Sequence, residues 1–131
     1  GDGARTHVVT VEHVLYSPRI RYLHHFLTPA ECNHLITLAW PLFERKHLKH
    51  SRVTRTSTTA TLSGASALDP IVRRVRSRIA RFSGYADSLI EPLEVERYRQ
   101  GQLYDAHHDF ADVCNLESKV AGRRQVTFLI Y

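Results

Sequence analysis

The stretch ERYRQGQLYDAHHDF (Glu96–Phe110) sets two adjacent histidines against an aspartate. In an extended segment, residues two apart point to one side. His107 and Asp109 therefore share a face, and His108 points away from it. One imidazole nitrogen and one carboxylate oxygen side by side make two corners of a metal site. Joined by a second histidine, they form a facial triad that leaves three positions of an octahedral iron(II) open for a chelating cosubstrate and dioxygen. Alone the pattern is weak, because the chain has nine histidines and short motifs also arise by chance. His24, His25, His47 and His50 carry no comparable pattern and read as surface or hydrogen-bonded histidines. His108 reads as structural.

Upstream of this stretch, EPLEVERYR (Glu91–Arg99) reads as a strand with Leu93 and Val95 on one face. Tyr98 falls on the opposite face with Glu94 and Glu96, and Gly101 turns the chain toward the histidines. Downstream, VCNLESKVAGRR (Val113–Arg124) is a polar connection. QVTFLIY (Gln125–Tyr131) is apolar enough to expect a central strand, whose neighbour should follow it.

Further out lie two helices. Thr28 can cap the first, Pro29 suits its first position and Glu31 completes a capping box. Leu35, Ile36, Leu38 and Ala39 supply its apolar face, and Pro41 is expected to stop it near Trp40. Asp69-Pro70 starts the second, where Ile71, Val72, Val75, Ile79 and Phe82 recur at helical spacing and Gly84 ends it. Arg73, Arg74, Arg76, Arg78 and Arg81 mostly avoid that stripe and read as a solvated basic face. No aromatic residues are interleaved among them to stack bases, which argues against nucleic acid as their partner. Between the helices, Glu44–Gly64 reads as a polar loop running into an exposed strand or flap around Val53–Leu62. Before them, His7–Tyr16 and Ser17–Leu27 read as a strand, a turn and a second strand.

The 131 residues suggest one domain or part of one, and 43% apolar with 24% charged residues is the composition of a globular protein. No apolar run is long enough to span a membrane. No signal-peptide pattern opens the chain, and with no methionine at all it is expected to be trimmed or excised. Neither Cys32 nor Cys114 belongs to a C-x-x-C pair, which argues against a zinc knuckle. Cys32 is expected as a buried thiol, and whether the two pair is not legible. A net charge of +5 is compatible with acidic partners or with a merely basic face.

Taken together, these motifs resemble the prolyl 4-hydroxylase family. Glu96–Phe110 is similar to that family's iron-site motif, Tyr-x-x-Gly-Gln-x-Tyr-x-x-His-x-Asp, with Tyr98, Gly101, Gln102, Tyr104, His107 and Asp109 all in register. FLTPAECNHLITLAWP resembles its early helix, and VTRTSTTATL its Arg-Thr-Ser loop. GRRQVTFLIY resembles the strand in which an arginine precedes Thr-x-Leu-x-Tyr. The likeness runs from about Pro18 to Tyr131. It implies an α+β fold whose core is a double-stranded β-helix, or jelly roll, with supporting N-terminal helices. It implies hydroxylation of peptidyl proline at C4 with iron(II), 2-oxoglutarate and dioxygen, accompanied by ascorbate. His107 and Asp109 match two iron ligands, and Tyr98 matches the tyrosine that reaches the far carboxylate of 2-oxoglutarate. Tyr104, Arg124, Arg55, Ser57 and Glu91 match residues around the peptide-proline cleft, Arg55 and Ser57 on a mobile loop. Expected substrates are proline-rich or collagen-like peptides. The expected compartment is the endoplasmic reticulum or secretory lumen, with the cytoplasm as the alternative.

The sequence departs from the family in two ways. No histidine follows His108, so the second histidine ligand and the basic partner of 2-oxoglutarate are expected beyond Tyr131. Residues 1–131 then form the N-terminal portion of one dioxygenase domain. Two ligands without the third should hold iron weakly, and this portion alone is expected to be inactive. Glu94 and Glu96 stand where a more neutral strand is expected. The competing reading is a catalytically silent relative that binds proline-rich peptides, whose preformed extended helix suits a groove.

Overall fold

A computed structural model describes residues 7–46, 57–109 and 122–131. The chain opens on two strands, β1 (Thr10–Tyr16) and β2 (Arg19–His24), joined through a cis Ser17–Pro18 peptide. They pair antiparallel, Thr10 opposite His24 and Tyr16 opposite Arg19, with a register shift between His13 and Leu15. Helix α1 (Pro29–Lys46) leads to β3 (Thr58–Leu62), helix α2 (Pro70–Ser83) and β4 (Leu93–Arg97), with short 3-10 turns at Gly64–Leu68 and Asp87–Leu89. β3 and β4 form a second antiparallel pair, Thr58 opposite Arg97 and Leu62 opposite Leu93. The architecture is α+β. No helix among the described residues is long and apolar enough to cross a membrane.

Local chemistry accounts for both helix starts. The Thr28 amide donates to Glu31 Oε2 at 2.9 Å, and the Glu31 amide donates to Thr28 Oγ1 at 3.1 Å, which is the reciprocal capping box. Asp69 Oδ1 accepts from the amides of Ile71 and Val72 at 2.8 and 3.1 Å, with Pro70 next in the chain. Gly84 ends α2 in the left-handed region at φ 80°, its amide reaching Ala80 O at 2.9 Å.

The core lies where α1, α2 and the β3–β4 pair meet. Leu35, Ala39 and Phe43 of α1, Ala60 and Leu62 of β3, and Val72, Val75 and Ile79 of α2 are buried there with Phe26. Leu93 and Val95 of β4 pack against them, so the alternation read from the sequence selects the face that meets the helices. Glu94 and Glu96 lie on the opposite, exposed face.

Several expectations need correction, among them the strand expected as exposed around Val53–Leu62, whose described part is β3 with Ala60 and Leu62 buried in the core. Pro41 does not stop α1, which continues to Lys46. A helix-interior proline costs about 3 kcal/mol, but the turn beyond it seats Phe43 at 2% exposure. Burial of such a side chain contributes about 1.5–3 kcal/mol. The Arg97 guanidinium lies 4.9 Å from the Phe43 ring and 5.1 Å from the Trp40 ring, adding a cation–π contact. These gains are comparable with the cost. Ile36, expected on the apolar face, is exposed. Residues 125–131 are extended but join no strand among the described residues: Phe128 packs on the core, while Leu129, Ile130 and Tyr131 are exposed. Cys32 is half-buried with a free thiol, and Cys114 lies outside the described residues.

Candidate functional site

The end of β4 leads into the site through one tight turn. Gly101, at φ 82°, takes the third position of the turn Arg99–Gln102, where a left-handed residue is required. The Gln102 amide donates to Arg99 O at 3.0 Å. The Arg99 amide in turn donates to the Gln102 side-chain oxygen at 2.7 Å. Gly-Gln is thus a self-closing turn that redirects the chain toward Tyr104, His107 and Asp109.

His107 and Asp109 converge. His107 Nε2 lies 3.2 Å from Asp109 Oδ1. His107 Nδ1 lies 2.8 Å from Asp105 O. A carbonyl oxygen only accepts, so Nδ1 carries the hydrogen and donates. In the neutral ring the lone pair is then on Nε2, which faces a carboxylate oxygen. Two electron-rich atoms at that distance call for a cation or a proton between them. The donor pair, with the far ring nitrogen tied to a carbonyl, has the chemistry of a metal-ligating histidine and carboxylate. Among the described residues no third histidine, cysteine, aspartate or glutamate joins them.

Neighbours hold both side chains. The Tyr104 ring stacks on His107, with centroids 3.9 Å apart and planes inclined by 27°. Thr127 Oγ1 donates to Asp109 Oδ2 at 2.6 Å. Thr127 reaches the site because residues 125–131 are extended: its neighbour Phe128 meets Phe26 of the core, centroids 5.8 Å apart. The sequence motif contained Thr127 but gave it no task. Its link to Asp109 spans 18 residues, a separation at which spacing carries no signal.

Glu91 and Arg124 form a forked ion pair, Nε to Oε1 at 2.6 Å and Nη2 to Oε2 at 2.8 Å. The Arg124 hydrogen bonds pull the Glu91 carboxyl below its usual range, against burial and the negative charge of nearby Asp109. The same bonds raise Arg124, with Asp109 and Glu94 adding to them. The pair therefore sits within electrostatic reach of the Asp109 carboxylate.

The remaining sequence-derived residues are placed differently. The Tyr98 hydroxyl donates to Glu96 Oε2 at 2.9 Å, on the exposed side of β4. Ser57 is half-buried, and its hydroxyl has no hydrogen-bond partner among the described residues. Arg55 lies outside the described residues. A hollow of about 560 Å³ lies elsewhere, against Leu62, Arg73, Ala80 and Ile90, and holds none of the sequence-derived residues.

Comparison with known proteins bears on this geometry. No family model matches the chain. It is 37% identical to Prolyl 4-hydroxylase 1 of Arabidopsis thaliana over 131 residues, covering 94% of this chain and 46% of that protein. It is 35% identical to Prolyl 4-hydroxylase 5 of the same plant, covering 100% of this chain and 45% of that protein. Probable prolyl 4-hydroxylase 8 is 34% identical, covering 92% and 43%. The chain thus spans a little under half the length of these relatives.

Proposed function

We infer that this chain, which belongs to the prolyl 4-hydroxylase family, is part of a dioxygenase that hydroxylates peptidyl proline at C4. Its cosubstrates are 2-oxoglutarate and dioxygen, its metal is iron(II), and ascorbate accompanies them. The observation that carries this reading is the convergence of His107 Nε2 and Asp109 Oδ1 at 3.2 Å within the family's motif register. The third ligand and the basic partner of 2-oxoglutarate are assigned to sequence after Tyr131, and the jelly roll is completed there. Residues 1–131 are accordingly the N-terminal portion of the domain.

Iron(II) with 2-oxoglutarate supplies the oxidising chemistry when bound. This chain's residues prepare the place for it. Asp105 O fixes the His107 ring through Nδ1, leaving Nε2 free to bind metal. Thr127 holds one oxygen of Asp109, leaving the other to the metal. Tyr98 is assigned to the far carboxylate of 2-oxoglutarate, where a phenol donates a hydrogen bond without adding charge. That assignment requires its hydroxyl to leave Glu96. Tyr104, Glu91, Arg124, Arg55 and Ser57 are assigned to the peptide cleft, which is built for proline-rich or collagen-like segments.

The test uses the full-length protein with a panel of proline-rich peptides. Succinate release and 4-hydroxyproline formation should depend on both peptide and iron(II). Peptide binding without either product would leave a silent proline-peptide binder in place of an enzyme.

A further inference from the structure

We propose that Arg76 of α2 is a positioning residue, whose guanidinium fixes the 87–91 segment so that the Glu91 carboxylate meets Arg124. The significance of that ion pair for peptide binding rests on the functional reading above, while the positioning rests on geometry. The side chain is 14% exposed, and its three nitrogens all converge on five consecutive residues. Nε donates to Asp87 Oδ1 at 2.9 Å. Nη1 donates to Glu91 O at 2.7 Å. Nη2 donates to Asp87 O and Ile90 O, both at 2.8 Å.

The segment needs such a partner. The carbonyls of Asp87, Ile90 and Glu91 all accept from Arg76, the Asp87 carbonyl also taking the Ile90 amide at 3.0 Å inside the 3-10 turn. A planar fork with donors in fixed directions satisfies all three, which a lysine ammonium at the end of a flexible stem does not reproduce. Glu91 is thereby held by its own carbonyl, one residue's length from the carboxylate that grips Arg124 through two bonds. Loss of the fork frees Glu91 to shift, and Arg124 with it, while His107 and Asp109 keep their own supports.

In the full-length protein, Arg76→Met should raise the KM for a proline-rich peptide about tenfold and leave kcat within about twofold. Glu91→Gln should do the same, and the double variant should be no worse than either single one, because both changes disable one device. Arg76→Lys should fall between wild type and Arg76→Met. Arg73→Met, a neighbouring arginine of the same helix, should match wild type. A second readout is independent of turnover: the NMR signal of the Arg124 Nε–H, held by Glu91 in the wild type, should shift and broaden in Arg76→Met. Additive KM effects, a fall in kcat at constant KM, an unmoved Arg124 signal, or equal effects from Arg73→Met would each overturn the proposal. Should Arg76→Met fail to fold, Arg76→Lys and Asp87→Asn are read by the same criteria. A wild-type protein that makes no hydroxyproline removes the functional reading, and the Arg124 signal then decides the positioning claim alone.

Discussion

At His107 the two ring nitrogens have different neighbours, a carbonyl that fixes the tautomer and the Asp109 carboxylate, 3.2 Å from Nε2. The H-x-D spacing made that convergence legible, because extended backbone puts alternate side chains on one side. The support of Asp109 by Thr127 was not legible, since the contact closes across a polar connection. Thr127→Val removes that bond while keeping the shape. It should weaken iron(II) affinity of the full-length protein by about 10–100-fold, the usual effect of losing a ligand's outer partner. Unchanged affinity would show that Asp109 holds its orientation without help. Two of the five arginines of α2, Arg76 and Arg78, depart from their reading for a related reason, while Arg73, Arg74 and Arg81 are exposed as expected. A helical stripe separates apolar from polar positions, but it does not show which carbonyls and carboxylates wait opposite. Arg76 and Arg78 are both anchored, contrary to the solvated face expected for them. Arg78 donates to both oxygens of buried Glu31 at 2.8 and 2.9 Å, and to Phe26 O at 2.7 Å. Arg78→Met strands that carboxylate and should lower unfolding free energy by about 3–5 kcal/mol. Urea unfolding checks this, with Arg73→Met as the comparison expected to change it by less than about 0.5 kcal/mol.

At the scale of elements, capping chemistry was readable and chain-breaking chemistry was not. Thr28, Glu31 and Asp69 act within three residues of themselves, so sequence contains the whole interaction. Pro41 breaks one backbone bond locally, but the outcome depends on Phe43, Trp40 and Arg97 packing together. Pro41→Ala should therefore stabilise α1, restoring an amide donor in the helix interior and raising unfolding free energy by about 1–3 kcal/mol. A loss of stability instead would mean that the proline itself is what seats Phe43. Gly84→Ala tests the other end of the pair of helices. Nothing lies within 4 Å of an added Cβ, so the cost is that of the left-handed backbone alone. It should be about 1–2 kcal/mol, read as a lowered thermal midpoint.

Over the whole molecule, Glu31 couples folding to acid. The Arg78 hydrogen bonds hold its carboxyl down at about 2, from 4.5 when unfolded. Its folded value is depressed, so the stability it contributes is fully present above about pH 4.5 and is lost as pH falls toward 2. Glu91 and Asp69, lowered by Arg124 and His34, act in the same direction. Arg78→Met should flatten the acid limb of a stability-versus-pH curve; an unchanged limb would assign acid sensitivity to other groups. The α+β class followed from the family resemblance, while both helices and the buried face of β4 were readable because each repeats a local pattern over several residues. The pairing of residues 125–131 was not, since a strand's neighbour is a property of the surrounding chain and not of its own apolar run. The segment after β4 and the final segment meet at this scale, Tyr104 and Asp109 beside His107 and Thr127 on Asp109. Iron(II) affinity of the full-length protein and its His107→Ala, Asp109→Ala and His108→Ala variants tests that point most directly. The first two substitutions should abolish tight binding and the third should leave it near wild type, whereas equal loss from all three, or retention in the first two, would contradict the site.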